Sequence, residues 1–349
     1  MKVKNTVGII SYGVSIPSNR IRISEIAAAW GKSGADVEKG LGVYEKSVPA
    51  ADEDALTLAA NAALNCLAKV PSFDKSLIQS IYTGSESHPY AVKSTSSVIA
   101  EVIGISTGYT AADFEFACKA GTAAMQVVCA EVSAGMVEAG VAIGADTAQS
   151  RPGDALEYTA GAGAAAYIIG NNKKEIIAEI LYTTSFSSDT PDFWRREHSH
   201  YPSHAGRFTG EPSYFKHILG AVNSILAESK HKISDFDHVV LHMPNARFPK
   251  TAAKMLGITE KQLQNGFIVP ELGNSYSACS LIGLAACLDK AFPGELILVC
   301  SYGSGSGSDA FVLKVNPAIK KLNRSGSMPV IKHYLSYSSY LKNLNKLRI

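Results

Sequence analysis

ADFEFACKAGTAAMQVVCAEV, Ala112 to Val132, reads as a short apolar strand running into Cys118 and an alanine-rich helix leaving it. A thiol at that junction meets unpaired backbone N–H groups and the positive end of the helix dipole, which lower a cysteine pKa and raise its thiolate fraction. Lys119 adds a positive charge next in sequence, and Gly121, Ala123 and Ala124 leave room for a second backbone or a flat ligand at the first turn. The stretch also reads as a buried cysteine serving as a small hydrophobe, as most intracellular cysteines do. The surrounding chain has to decide.

Upstream, VGIISYGVSIPS (Val7 to Ser18) is a strand and Ile23 to Trp30 a short helix, followed by a polar loop to about Ala51. Asp52 to Lys69 is a long helix, Ile78 to Thr83 a strand, GSESHPY a turn and Thr95 to Ile103 a helix. Downstream come the strand AGVAIGADTA and the buried strand GAGAAAYIIG. The order then repeats after the strand EIIAEILYTTSF. IYTGSES is answered by VVLHMPN, the Cys118 stretch by SACSLIGLAACLDKA, VAIGADTA by LILVCSYGS and GAAAYIIG by SDAFVLKV. Two copies of one strand-and-helix unit predict a pseudo-twofold α/β fold of sheets layered with helices, with chemistry at the strand ends where the copies face each other. The boundaries follow as residues 1–171, 172–315 and a basic extension 316–349.

With 349 residues and 46% hydrophobic content the chain can bury a large core. Six cysteines without a CxxC pair, all in apolar or alanine-rich surroundings, indicate reduced thiols in a cytosol. Apolar runs broken by Glu131, Glu138, Asp289 and Glu295 exclude a membrane span, and no signal peptide is expected ahead of the first strand. The formal charge is +2, but seven of the basic residues and no acid lie from Asn316 onward, leaving −5 on the rest. That balance argues against nucleic acid. Within the extension, Tyr334, Tyr337, Leu341, Leu344 and Arg348 recur at helical spacing, predicting a short amphipathic basic helix that docks on the body or a partner.

Glu86 and His242 occupy matching turns after matching strands, so a pseudo-twofold axis brings both toward Cys118. Asn274, in GNSYSACS, joins them. A thiolate beside a histidine and an amide can form a thioester and stabilise the oxyanion of an attacked carbonyl. A carboxylate beside them supplies a base able to take a weakly acidic proton from carbon, provided burial raises its pKa. Taken singly, Glu86 also reads as a helix cap, His242 as a core histidine and Asn274 as a turn residue. Their paired positions favour function.

ACKAGTAA around Cys118, GSES with Glu86, LHMPN with His242, GNSYSA with Asn274, DFW at Asp192 to Trp194 with YPSHAGRFTGEPSYF after it, and SYGSGSGSDAF resemble the signatures of 3-hydroxy-3-methylglutaryl-CoA synthases. The archaeal form of that thiolase-superfamily family is nearest, and the resemblance runs from about Val7 to Val315. It implies a thiolase fold, βαβαβαββ twice in an αβαβα sandwich, usually dimeric or tetrameric, and a Cys–Glu–His trio mapping onto Cys118, Glu86 and His242. It implies that acetyl-CoA acetylates Cys118 and that the acetyl group then condenses with acetoacetyl-CoA, a step of mevalonate and isoprenoid formation. The oxyanion hole is expected from the backbone of Cys118 and of the loop with Gly303 and Ser304, and Asn274 is expected to orient a water or His242.

Arg247 and Lys250 are candidates for the coenzyme A phosphates, with Arg195, Arg196 and Lys119 behind them. No cofactor beyond the thioesters is expected. His198, His200 and His204 form H-x-H-x3-H without acidic or thiol neighbours, so no metal is expected. Archaeal relatives imply an acetoacetyl-CoA thiolase and a small OB-fold protein as partners. One rival is a β-ketoacyl-acyl-carrier-protein synthase III-like decarboxylating enzyme using Cys118 with His242, Asn245 and Asn274. Glu86 discriminates, because decarboxylation makes its own carbanion and needs no base on carbon. The other rival, a non-catalytic subunit, is disfavoured by the intact trio.

Overall fold

Alternation of apolar and small residues along each strand builds sheets that bury both faces. The computed structural model of the protein describes residues 1–147, 150–324, 326, 328 and 331–344. Strands β1 (Gly8–Ser15) and β2 (Asn19–Arg22) lead into helix α1 (Ile23–Ala29). The stretch up to Ala51, expected as a polar loop, instead holds α2 (Gly34–Leu41) and β3 (Glu45–Ser47). Ser33 caps α2 by accepting from the Asp36 N–H, and Gly42 ends it at φ 68°. The β3 sequence is Glu-Lys-Ser, and all three residues are buried. Polar composition hid this strand because its stability comes from partners distant in sequence: the Ser47 hydroxyl donates to Ala162 O at 2.6 Å, and the Lys46 ammonium donates to the Glu157 carbonyl.

Helix α3 (Ala55–Ala68), opened by a reciprocal Asp54–Thr57 capping box, is followed by β4 (Ile78–Gly84), α4 (Thr95–Ile103) and β5 (Thr110–Phe114). The half closes with α5 (Ala120–Ala134), β6 (Ala139–Asp146) and β7 (Gly163–Gly170). The second half runs β8 (Ala178–Ser187), the small hairpin β9 (Phe193–Trp194) and β10 (Ser203–His204), α6 (Phe215–Ser229), β11 (His238–Leu241) and α7 (Arg247–Leu256). Two short helices, α8 (Glu260–Leu263) and α9 (Val269–Leu272), precede α10 (Cys279–Lys290), β12 (Leu296–Cys300) and β13 (Gly307–Val315).

The large sheet has the order β11-β12-β13-β8-β1-β7-β6-β4-β5. Read from its centre outward it is the same sequence of strands twice, joined where Gly8 pairs with Glu179 and Ile9 with Ala178. In the second half α8 and α9 occupy the place of a counterpart to β5. Ala124 and Val128 of α5 pack with Leu281 and Leu284 of α10 in the cluster between the two halves. α3 and α4 cover the outer face of the first half, and α6 and α7 that of the second. Along β12, Ile297 and Val299 face the central helices while Leu298 and Cys300 face the outer ones. The result is the five-layered αβαβα thiolase fold.

The extension folds back onto the body. β14 (His333–Tyr334) pairs in parallel with β2, and α11 (Tyr337–Asn343), capped by Ser336, buries Tyr340. The expected helix therefore begins three residues after Tyr334, and Arg348 lies outside the described residues. Among the described residues no helix is long and apolar enough to cross a membrane.

Candidate active site

β5 ends at Phe114, four residues before the thiol, and the chain reaches α5 through a tight turn in which Ala117 takes φ 44°. A side chain at positive φ is strained, and such strain collects at functional sites. The repeat reproduces the turn: Tyr276 takes φ 51°, three residues before α10, as Ala117 stands three residues before α5. Cys118 and Ser277 are thus equivalent positions, and the two elbows meet. A Cβ on Gly121 would lie 2.7 Å from the Ser277 carbonyl oxygen, so the glycine admits the backbone of the second half.

Glu86 follows β4 and Asp146 ends β6. The Glu86 N–H donates to Asp146 Oδ1 at 2.9 Å, as do the Ser85 and Ser87 hydroxyls at 2.8 and 2.6 Å, while the Ser277 N–H reaches Oδ2 at 2.9 Å. Asp146 therefore ties the Glu86 turn to the second-half elbow. Glu86 Oε2 is buried and has no hydrogen-bond partner among the described residues. Burial first, then the Asp146 charge, push its carboxyl well above the ordinary range, with Arg195 opposing.

Cys118 is 4% exposed and packs with Ala160, Tyr276 and Phe193. The expectation of a lowered thiol pKa is overturned: burial, followed by Glu86, Asp146 and Cys279, pushes it well up, and the Asn274 side-chain hydrogen bond works in the opposite direction. Asn274 Oδ1 accepts the Tyr276 N–H at 2.9 Å, which leaves the amide NH₂ for the sulfur. Lys119 does not act on the thiol as expected, because it forms a 3.0 Å buried ion pair with Asp309.

His242, directly after β11, is 1% exposed and holds its place by donating its N–H to Cys300 O at 2.8 Å and accepting the Tyr214 hydroxyl on its carbonyl at 2.7 Å. Its ring lies 6.2 Å from that of Tyr302, and Nδ1 has no partner among the described residues. Burial pushes the imidazole down to about 3, so it is neutral. No hydrogen bond joins it to Cys118 or Glu86 among the described residues. The loop after Tyr302 carries Ser304 into the lining of a cavity of about 260 Å³ together with Glu86, Phe116, Ala117, Phe193 and Arg195, a lining that includes neither His242 nor Cys118.

Gly303 departs from its expected part in an oxyanion hole: its N–H donates to the Gly307 carbonyl at 2.7 Å. Arg247 and Lys250 are exposed at the start of α7, one against the Gly40 carbonyl at 3.3 Å and the other over the Phe267 ring, away from the cavity lining. Arg195 lines it instead. His198 and His204 do not share a site, since His204 bonds Asp154 at 2.8 Å and His198 is solvent-exposed. Among the described residues no cluster of three metal-ligating side chains occurs. Sequence reasoning missed Asp146, whose signal was a lone acid ending an apolar strand. It also missed Tyr276, whose strained backbone has no signature in residue type.

Residues 226–315 match the family 3-oxoacyl-[acyl-carrier-protein (ACP)] synthase III C terminal, which fits the architecture of the second half. The solved structure of MvaS in complex with 3-hydroxy-3-methylglutaryl coenzyme A superposes with a TM-score of 0.87 over 99% of this chain and 93% of its own, at 21% identity, a likeness of fold. The hydroxymethylglutaryl-CoA synthase of Archaeoglobus fulgidus is 51% identical over 98% of this chain and 99% of its own length. That of Methanococcoides burtonii is 51% identical over 99% of both. Identity at this level along the full length goes beyond a common fold, and the chain belongs to the hydroxymethylglutaryl-CoA synthase family.

Proposed function

We propose that the protein condenses acetyl-CoA with acetoacetyl-CoA and water to give 3-hydroxy-3-methylglutaryl-CoA and free CoA. The observation that carries this reading is the Glu86 carboxyl, buried, unpartnered at Oε2, held well above the ordinary carboxylate range and coupled electrostatically to the Cys118 thiol. Cys118 Sγ attacks the acetyl carbonyl, and its proton leaves with the CoA thiolate. Ionised Glu86 then removes a methyl proton from the acetyl thioester, and the enolate carbon attacks the ketone carbon of acetoacetyl-CoA. The neutral His242 ring donates a hydrogen bond to that ketone oxygen, which stays on the product as its 3-hydroxyl, taking back the proton that Glu86 removed. Water hydrolyses the Cys118 thioester, restoring the thiol and releasing the new carboxylate. Asn274 holds the sulfur, and the backbone of the Cys118 and Ser304 turns receives the thioester oxyanion. No cofactor or metal enters this chemistry.

Arg195, at the cavity rim, is the cation best placed for the acyl-CoA entrance. β5 is the outer strand of the large sheet and its first three residues, Thr110, Ala111 and Ala112, are exposed. A flat edge of small residues suits pairing with a second copy, which supports a homo-oligomer. The reduced cysteines fit a cytosolic enzyme, and an acetoacetyl-CoA thiolase with a small OB-fold protein would supply one substrate directly. The test is incubation with radiolabelled acetyl-CoA alone and then with acetoacetyl-CoA. One acid-stable label per chain on the Cys118 peptide, discharged as 3-hydroxy-3-methylglutaryl-CoA, is expected; label on another cysteine, or a preference for malonyl thioesters with carbon dioxide release, rejects the reading.

A further inference from the structure

The C-terminal helix sits behind the thiol through a buried polar chain. Tyr340 is 1% exposed; its hydroxyl accepts from the Lys46 ammonium at 3.0 Å, and the same ammonium donates to the Glu157 carbonyl. Glu157 is fully buried in the turn Ala155–Tyr158, where its carboxylate accepts from the Tyr337 hydroxyl at 3.0 Å, the Trp30 N–H at 3.1 Å and the Gly153 N–H at 2.7 Å. A carboxylate out of water stays there only while donors surround it, and one of these donors, Tyr337, comes from α11, while Tyr340 of the same helix holds Lys46 against the Glu157 carbonyl. The turn continues into Thr159, Ala160 and Gly161. Thr159 O accepts the Asn274 N–H at 2.6 Å, and the Gly161 N–H donates to Asn274 O at 2.8 Å. Ala160, held between these two bonds, packs against Cys118, and the neighbouring Asn274 side chain eases ionisation of the thiol.

We propose that Tyr340 is a positioning residue for the reactive thiol: with Lys46 and Glu157 it locks the Ala155–Tyr158 turn, whose continuation clamps Asn274 onto Cys118. The proposal rests on Cys118 being the acyl acceptor. Without the Tyr340 hydroxyl, the Lys46 ammonium loses the partner that holds it on the Glu157 carbonyl, the turn shifts toward water and the Thr159–Asn274–Gly161 clamp loosens. The other groups facing the sulfur, Glu86, Asp146, Cys279 and Tyr276, come from elements that do not pass through this turn.

The test is the pH profile of iodoacetamide alkylation at Cys118, followed by mass spectrometry of its peptide in full-length protein. Tyr340→Phe keeps the ring and removes the hydroxyl. Its alkylation midpoint is expected to rise, with a severalfold lower rate at a fixed pH below the midpoint, and Gly161 amide exchange is expected to quicken. Asn274→Ala raises the midpoint directly, and the double variant adds nothing further, because both changes act through one contact. A native midpoint and native Gly161 exchange in Tyr340→Phe, or fully additive shifts, overturns the proposal. Should Asn274→Ala not fold, the Tyr340→Phe midpoint and exchange decide alone. The readout needs no condensation, so a chain that shows the shift but makes no 3-hydroxy-3-methylglutaryl-CoA rejects the functional reading and leaves this one standing.

Discussion

The Glu86 backbone N–H donates to the Asp146 carboxylate at 2.9 Å, which sets the turn after β4 against the end of β6. Asp146 has four donors around it, whereas Glu86 keeps an unpartnered oxygen. The proton therefore stays more tightly on Glu86 than on an ordinary glutamate, and the carboxylate left when it departs is a correspondingly stronger base.

This fixes a sign for pH dependence. Because the base form is ionised Glu86 and its pKa is raised, condensation is expected to climb with pH along a limb lying above the ordinary carboxylate range of about 4.3. Burial of the Cys118 thiol acts in the same direction on acetyl transfer. His242, neutral above about 3, contributes no limb near neutrality. Single-turnover rates of the two steps across pH, measured separately, check this; a condensation rate flat from pH 5 to 8 contradicts it.

Removing the base separates the steps. Glu86→Ala is expected to accumulate acetylated Cys118 while condensing about a hundred- to ten-thousandfold more slowly, the usual cost of losing a positioned base. Glu86→Asp, one methylene short, is impaired through misplacement. Exchange of acetyl methyl protons with deuterated water should disappear in parallel, and its persistence in Glu86→Ala would assign the base elsewhere.

Stability moves the other way. A carboxyl whose folded pKa lies above its unfolded one contributes stability while protonated, below the ordinary range, and loses it as pH rises toward the folded pKa. Glu86→Gln removes that loss. A gain of about 1 kcal/mol would raise the unfolding midpoint near neutrality by roughly 2–4 °C. Thermal scans at pH 7.5 and pH 4 should show the gain at the first and little at the second.

His242 is expected to act on the second substrate only. His242→Ala should acetylate Cys118 at a near-native rate, with weakened acetoacetyl-CoA binding and condensation slowed about a hundredfold or more. If acetylation failed as completely as in Cys118→Ala, the role assigned to the imidazole would be wrong.

Gly121→Ala tests the meeting of the two elbows. The added Cβ would lie 2.7 Å from Ser277 O and 2.8 Å from Gly144 Cα, both backbone atoms that cannot swing aside. A cost of about 1–3 kcal/mol is expected, visible in denaturant titration together with loss of acetylation. Gly40→Ala, where a Cβ meets nothing, serves as the control.

That Cys118, Glu86 and His242 stand just beyond strand ends was legible from the repeat, because strand ends follow from hydrophobic periodicity, a local property of the chain. Helices α3, α4, α5 and α10 were legible for the same reason. β3 was not, since Glu45, Lys46 and Ser47 are buried only by virtue of partners such as Glu157 and Ala162, more than a hundred residues away. The missing counterpart of β5 was equally hidden, because each half was read as a copy of the other. Above all, protonation states belonged to tertiary structure. Placed before a helix and beside Lys119, Cys118 promised a lowered pKa, but the fold spends the lysine on Asp309 and brings Glu86 and Asp146 against the thiol instead. Where the candidate residues stand along the chain is written in their spacing; which of them hold protons depends on how deeply they are buried and which charges the fold sets beside them.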